Sequence, residues 1–195
     1  MKNVGCKSVT TKVVSVLCGL LVVLAMSVTA GYCKDKFIDS GEYKKENFKK
    51  ICIADYAEMH EGGDIKWVWV DPGIKLADYK VKVKSFEDRS DEIKSSQLGD
   101  IKKLFVESFE KTKGASGVLN AVICIYEVQK FSAGKAWIPF AGGHKMQAGV
   151  GAEMTLSTKE GKIVAKFRHF AREGAQIELA AEEVADDLRK FINQN

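Results

Sequence analysis

The stretch MQAGVGAEMTL, residues 146–156, decides the fold. Met146, Ala148, Val150, Ala152, Met154 and Leu156 fall on one side, and Gln147, Gly149, Gly151, Glu153 and Thr155 on the other. Successive side chains of a strand point to opposite faces, so this period predicts a β-strand with one apolar and one polar face. Thr158-Lys159-Glu160-Gly161 reads as a turn, and Ile163 to Phe170 returns as a second strand, closing a hairpin. Gly149 and Gly151, on the polar side, read as places of close approach or a bulge.

Working outward, VLNAVICIYEV (118–128) is apolar on both sides and reads as a central strand covered on both faces. Between Ser96 and Lys113 the period changes, with Leu98, Ile101, Leu104, Phe105 and Phe109 recurring every three or four residues. This predicts an amphipathic helix, followed by Gly114 as expected just past a helix end. Tyr79, Val81 and Val83 alternate with Lys80, Lys82 and Lys84, a strand with a lysine row on its wet side. Trp67-Val68-Trp69-Val70 is a short strand stopped by Asp71-Pro72-Gly73. Ile177, Ala181, Val184, Leu188, Phe191 and Ile192 mark one stripe of a C-terminal helix. The principal order is β-α-β-β-β-α. The expected fold is α+β, a mixed and mostly antiparallel sheet of about four to five strands with two main helices packed on it. The helical crossover makes two strands parallel, with right-handed connection.

The first thirty residues have a different character. Lys2, Lys7 and Lys12 precede the uncharged run Val13 to Ala25, and Val28 and Ala30 supply the small positions of a cleavage site. These three parts in this order are a secretory signal. Cleavage after Ala30 makes Gly31 the first mature residue, and a cut after Ala25 is the weaker alternative. The apolar run is shorter than the ~20 residues a spanning helix needs. The expected organisation is therefore a leader over 1–30, a polar Lys- and Glu-rich lead-in over 31–50, and a single α+β domain over 51–195. Removing the three leader lysines leaves 27 basic against 26 acidic residues, a mature charge of +1. Nucleic-acid binders concentrate positive charge, so nucleic acid is not the expected partner. Membrane contact would not run through a mature transmembrane helix.

Three cysteines follow the leader. Cys33 is the alternative point of lipid attachment, although Tyr32 before it fits a lipobox poorly. Cys52 and Cys124 each sit between two isoleucines, which favours small buried hydrophobes. A Cys52–Cys124 bridge is the other option, and it depends on a Cα distance that sequence does not give. There is no C-x-x-C.

His60, His144 and His169 have no partner motif and read as surface or packed histidines. Gly149-Val150-Gly151 fails as a dinucleotide loop, because the third glycine position is Met154 and a strand continues. No catalytic, cofactor or metal residue is assigned, and the expectation is a non-enzyme without cofactor. Trp67 and Trp69 read first as a packed aromatic patch. An exposed strand edge or the 131–145 loop is the expected contact surface for an envelope protein or ligand, with Trp67, Trp69, Trp137 and His144 as its candidate residues.

Two stretches carry a resemblance. Asp64 to Trp69 followed by Leu76 to Val83 resembles the opening of bacterial exported, lipoprotein-like families of unknown function, and Gly149 to Leu156 with Lys159 to Ala165 is similar to their later hairpin. The likeness spans residues 50–193. It implies an envelope protein, often lipidated, and brings no catalytic residues. The expected role is an exported binding or assembly module, periplasmic or envelope-associated. The alternatives are a periplasmic enzyme or small-ligand carrier using the aromatic and histidine-bearing loops, and an outer-membrane lipoprotein anchored through Cys33.

Overall fold

Where the sequence alternates the chain is extended, and where apolar residues recur every three to four positions it is helical. The computed structural model describes residues 52–131 and 147–195. Strands β1 (His60–Gly62), β2 (Ile65–Val70), β3 (Tyr79–Asp88), β4 (Gly117–Gln129), β5 (Gly149–Ser157) and β6 (Ile163–Arg172) form one sheet. Helices α1 (Ser95–Phe109) and α2 (Ile177–Gln194) lie in the β3–β4 crossover and after β6.

The strand order is β1-β2-β6-β5-β4-β3. Only β3 and β4 run parallel; every other neighbouring pair is antiparallel. The fold is thus α+β, a mixed sheet with two helices. Among the described residues the strand count is six and not four to five. The added strand is β1, three residues long, which is too short to show a period of two. It pairs with β2 across Gly63 and Asp64, and β2 then adds to β6 and widens the sheet.

Both helices cover one face of the sheet. Helix α2 lies against β5 and β6, and α1 against β3 and α2. Ile101, Phe105 and Phe109 of α1 and Val184, Leu188 and Ile192 of α2 are buried with Leu119, Ile123, Val150 and Met154 of the sheet. Each such side chain contributes roughly 1.5–3 kcal/mol on burial. The two helices are also tied by Ser108, whose hydroxyl donates to Asp186 Oδ1 at 2.8 Å. Lys80, Lys82 and Lys84 are exposed on β3, which is an edge strand. A lysine row there discourages pairing with another sheet.

Helix α1 ends at Phe109, four residues before the sequence pattern does. The Thr112 hydroxyl donates to the Phe109 carbonyl at 2.7 Å and accepts the Val81 N–H at 3.0 Å, which turns the chain toward β4. Gly114 serves a different purpose from a left-handed helix cap. A Cβ at Gly114 would lie 2.0 Å from the Tyr79 backbone nitrogen, so the close pass of two backbones excludes any side chain.

Candidate functional site

The opposite face of the sheet holds the chemistry. Register places Cys124, Glu153, Arg168 and Trp67 side by side across β4, β5, β6 and β2. On one side of this row stand Val122, Thr155, Lys166 and Trp69. On the other side come Glu127, Gly151 and Phe170, then Gln129, Gly149 and Arg172. The sequence marks this side of β5 as polar, and Gly149, Gly151 and Glu153 on it are buried. Residues 52–59 form a strap over the face, and Ile53, Tyr56 and Met59 pack there with Trp67.

Glu153 is 1% exposed and Arg168 equally so. A buried carboxylate is costly unless its oxygens are satisfied. Here the N–H groups of Cys52 and Ile53 donate to Oε2 at 2.8 and 3.0 Å. The Tyr56 hydroxyl and Arg168 Nη1 donate to Oε1. Four donors match the four lone-pair sites of an ionised carboxylate. Burial, then the bond to Glu153, pushes the Tyr56 phenol well above its ordinary range, so it stays a neutral donor. With its lone pairs engaged, Glu153 ties the strap to the sheet.

The strap is also held covalently. Cys52 and Cys124 form a disulfide with Cα atoms 6.2 Å apart, within the usual span. The expectation of two separate buried thiols is therefore corrected. The flanking isoleucines mark an apolar setting for each cysteine, but they carry no sign that one lies over the other.

Beyond the strap the face opens into a pocket of about 150 Å³ lined by Lys66, Tyr126, Glu127, Gln129, Arg168, Phe170 and Arg172. Its floor exists because β5 offers two glycines there. A Cβ on Gly151 would come within 2.5 Å of the Tyr126 ring, and one on Gly149 within 2.6 Å of Phe170. Both rings therefore lie down on bare backbone, which is the close approach read from these glycines. Each ring carries a guanidinium: Arg168 sits 3.6 Å from the Tyr126 centroid and Arg172 4.6 Å from that of Phe170. Such cation–π stacks hold the planar cation against the ring face. Arg172 Nε and Nη2 donate to Gln129 Oε1 at 3.3 and 3.0 Å, and Gln129 Nε2 donates to Glu127 at 2.7 Å.

Trp67 is 1% exposed and packs beneath the strap, so it presents no surface to a partner. Trp69 is half-buried, with Lys166 Nζ 4.9 Å from its ring. Trp137, His144, Ala30, Gly31 and Cys33 lie outside the described residues. His60 is in β1, where its Nδ1 lies 3.2 Å from the Glu61 carbonyl oxygen. His169 is buried; its Nδ1 accepts the Lys66 N–H at 3.3 Å, which leaves Nε2–H to donate to Asp187 at 3.1 Å. Burial holds its pKa below the ordinary value, against the pull of Asp187. With both ring nitrogens engaged, it too is a structural group. Among the described residues no three His, Cys, Asp or Glu side chains gather as a metal-ligand set, and no helix is long and apolar enough to cross a membrane.

Glu153, Arg168, Tyr126, Arg172 and Lys66 escaped the sequence reading. The one local signal was available in the hairpin: with its turn placed, Glu153 falls opposite Arg168. No local pattern marks Tyr126 or Lys66, which arrive from other strands.

No family model matches the chain, and no curated protein does. Among solved structures the chain is similar to a dodecamer of a PelC point variant from Paraburkholderia phytofirmans. That likeness has a TM-score of 0.40 and 12% identity, and covers 63% of this chain and 94% of that one.

Proposed function

We propose that the chain is an exported, envelope-associated binding module whose contact surface is the open end of the strapped sheet face. The observation that carries this reading is the unequal cover of that face. Residues 52–59 bury the row of Trp67, Arg168, Glu153 and Cys124, yet none of them lines the pocket around Gly149 and Gly151. A concave site with a few fixed polar groups is the usual form of a ligand seat. The buried titratable groups Glu153, Tyr56 and His169 are all engaged in holding the structure, which favours binding over turnover. The disulfide is consistent with an oxidising compartment, as the leader predicts.

The test uses the full chain in its native envelope, with a photo-crosslinking residue placed at Arg172 or, as control, at Lys103 on the exposed side of α1. Adducts from the Arg172 position and none from Lys103 are expected. Equal labelling from both, or none from either, would remove the pocket face as the contact surface. Intact mass of the same material reports whether the mature chain begins at Gly31 or carries acyl groups on Cys33.

A further inference from the structure

We infer that the end of this sheet face away from the pocket is a contact surface for an anionic lipid bilayer. It lies on the other side of the strapped row and shares with the pocket reading only the export of the chain. Two register shifts build it. Between Val83 and Phe86 the β3–β4 ladder bulges, so Lys84 and Ser85 stand together against Val122 while Val83 and Phe86 keep to the helical core. Lys80 and Lys82, opposite Val118 and Asn120, share the face with Lys84, and all three lysines are exposed. The second shift, between Leu156 and Ser157, leaves Val164 and Ala165 both buried and sets Ile163 opposite Ser157. Val122 and Ile163 are 39% and 45% exposed on this face.

Exposed aliphatic side chains bordered by long cations are the make-up of an interfacial patch, where the ammonium groups reach headgroups and the apolar groups reach the acyl boundary. The other side chains between them, Asn120, Thr155 and Ser157, are neutral. The acids flanking the lysine row are Asp78 before it and Glu87 after it, and Glu87 is held by Arg89. Lys166 shares the face, but Asp55 engages it at 3.3 Å, so it is not one of the binding cations. An acidic protein would need carboxylates placed to match one strand, whereas mobile headgroup anions gather under any such row. The chain leading from Cys33, the alternative point of lipid attachment, also joins the sheet here. The Cys52 N–H is bonded to Glu153, and Cys52 lines one small cleft with Val122 and Thr155. Sign separates this role from edge protection. A row that only keeps other strands away works with charge of either sign, but headgroup attraction requires positive charge.

The experiment is co-sedimentation of the oxidised mature chain with vesicles of phosphatidylglycerol and phosphatidylcholine in equal parts, and with vesicles of phosphatidylcholine alone. Binding to the anionic vesicles that weakens with added salt is expected, with little binding to the neutral ones. Lys82→Gln should weaken it about fivefold. The triple reversal Lys80→Glu, Lys82→Glu, Lys84→Glu should stay monomeric and folded yet lose at least about a hundredfold. Arginine at the same three positions should retain binding, and Lys102→Glu with Lys103→Glu on α1 should leave it within about twofold. Equal binding to both vesicle types, an unaffected triple reversal, or displacement by inorganic phosphate at equal ionic strength would overturn the bilayer surface. Tighter retention on immobilised polyglutamate than on vesicles would replace it with an acidic protein partner. Cross-linking from Arg172 without vesicle binding would sink this inference alone, and vesicle binding without that cross-linking would leave it standing.

Discussion

The two faces of one sheet are built on different physics. Under the helices, β4, β5 and β6 meet mostly apolar side chains, with the His169–Asp187 pair at the margin, and Phe105, Leu188 and Met154 are buried by area alone. Under the strap, the same three strands present Cys124, Glu153 and Arg168, and burial there requires a disulfide and four hydrogen bonds to one carboxylate, one of them the Arg168 ion pair. The helical face needs only patterning and volume. The strapped face needs every partner in place, because an unmatched charge in the interior costs more than a lost contact. A sheet face read as polar is therefore not necessarily a wet one.

The two faces part most sharply at Arg168. Arg168→Ala leaves Glu153 buried without its cation and should cost about 3–5 kcal/mol. Phe105→Ala on the helical face should cost a similar ~3–5 kcal/mol by leaving a cavity. Denaturant unfolding of both would show equal losses by different routes. The double replacement Glu153→Leu with Arg168→Met should recover much of the first loss, since a hydrophobic pair of similar volume often substitutes for a buried ion pair. No recovery would mean that the strap's own bonds to Glu153 dominate the face.

Removing the covalent tie comes next. Cys52→Ser with Cys124→Ser opens a loop spanning 72 residues and should lower stability by about 2–4 kcal/mol, with an equal loss for the native protein in reductant. Thermal melts with and without reductant measure this. The strap should loosen around Tyr56 and Trp67 before the helical face is disturbed, an order that hydrogen exchange at β2 and α2 would resolve.

The smallest effect is electrostatic and lies at the margin of the helical face. The pKa of His169 is lowered in the folded state, so the unfolded chain binds the proton more readily. Its contribution is fully present above about pH 6.5, the ordinary histidine value, and declines as pH falls toward the lower folded value. His169→Gln should flatten that part of the stability profile. Chemical denaturation at a series of pH values measures this, and an unchanged slope would place the acid sensitivity elsewhere.

How much was legible differs between the same two regions. The helical face could be read position by position, because the period of two in 148–156 and the three-to-four spacing of Ile101, Phe105 and Phe109 each report one face of one element. The strapped face could not. Glu153 meets Cys52 across 101 residues of chain, and Gly149 and Gly151 carry no trace of the rings that lie on them. Residues 52–59 have no period at all, being neither strand nor helix.

By itself the sequence determined the principal secondary elements other than β1, the parallel crossover, the single apolar face, the lysine row of β3 and the expectation of export. These are local, since periodicity, turn residues and a leader are properties of contiguous stretches. Only the tertiary structure decided that the second face is roofed, that Cys52 and Cys124 are bonded, that Glu153 is a fully engaged internal anion, and that cations gather around Gly149 and Gly151. Those facts depend on which distant segments come to lie over a strand. A residue's own polarity sets the cost of burying it, but the residues that offset that cost arrive from elsewhere in the chain.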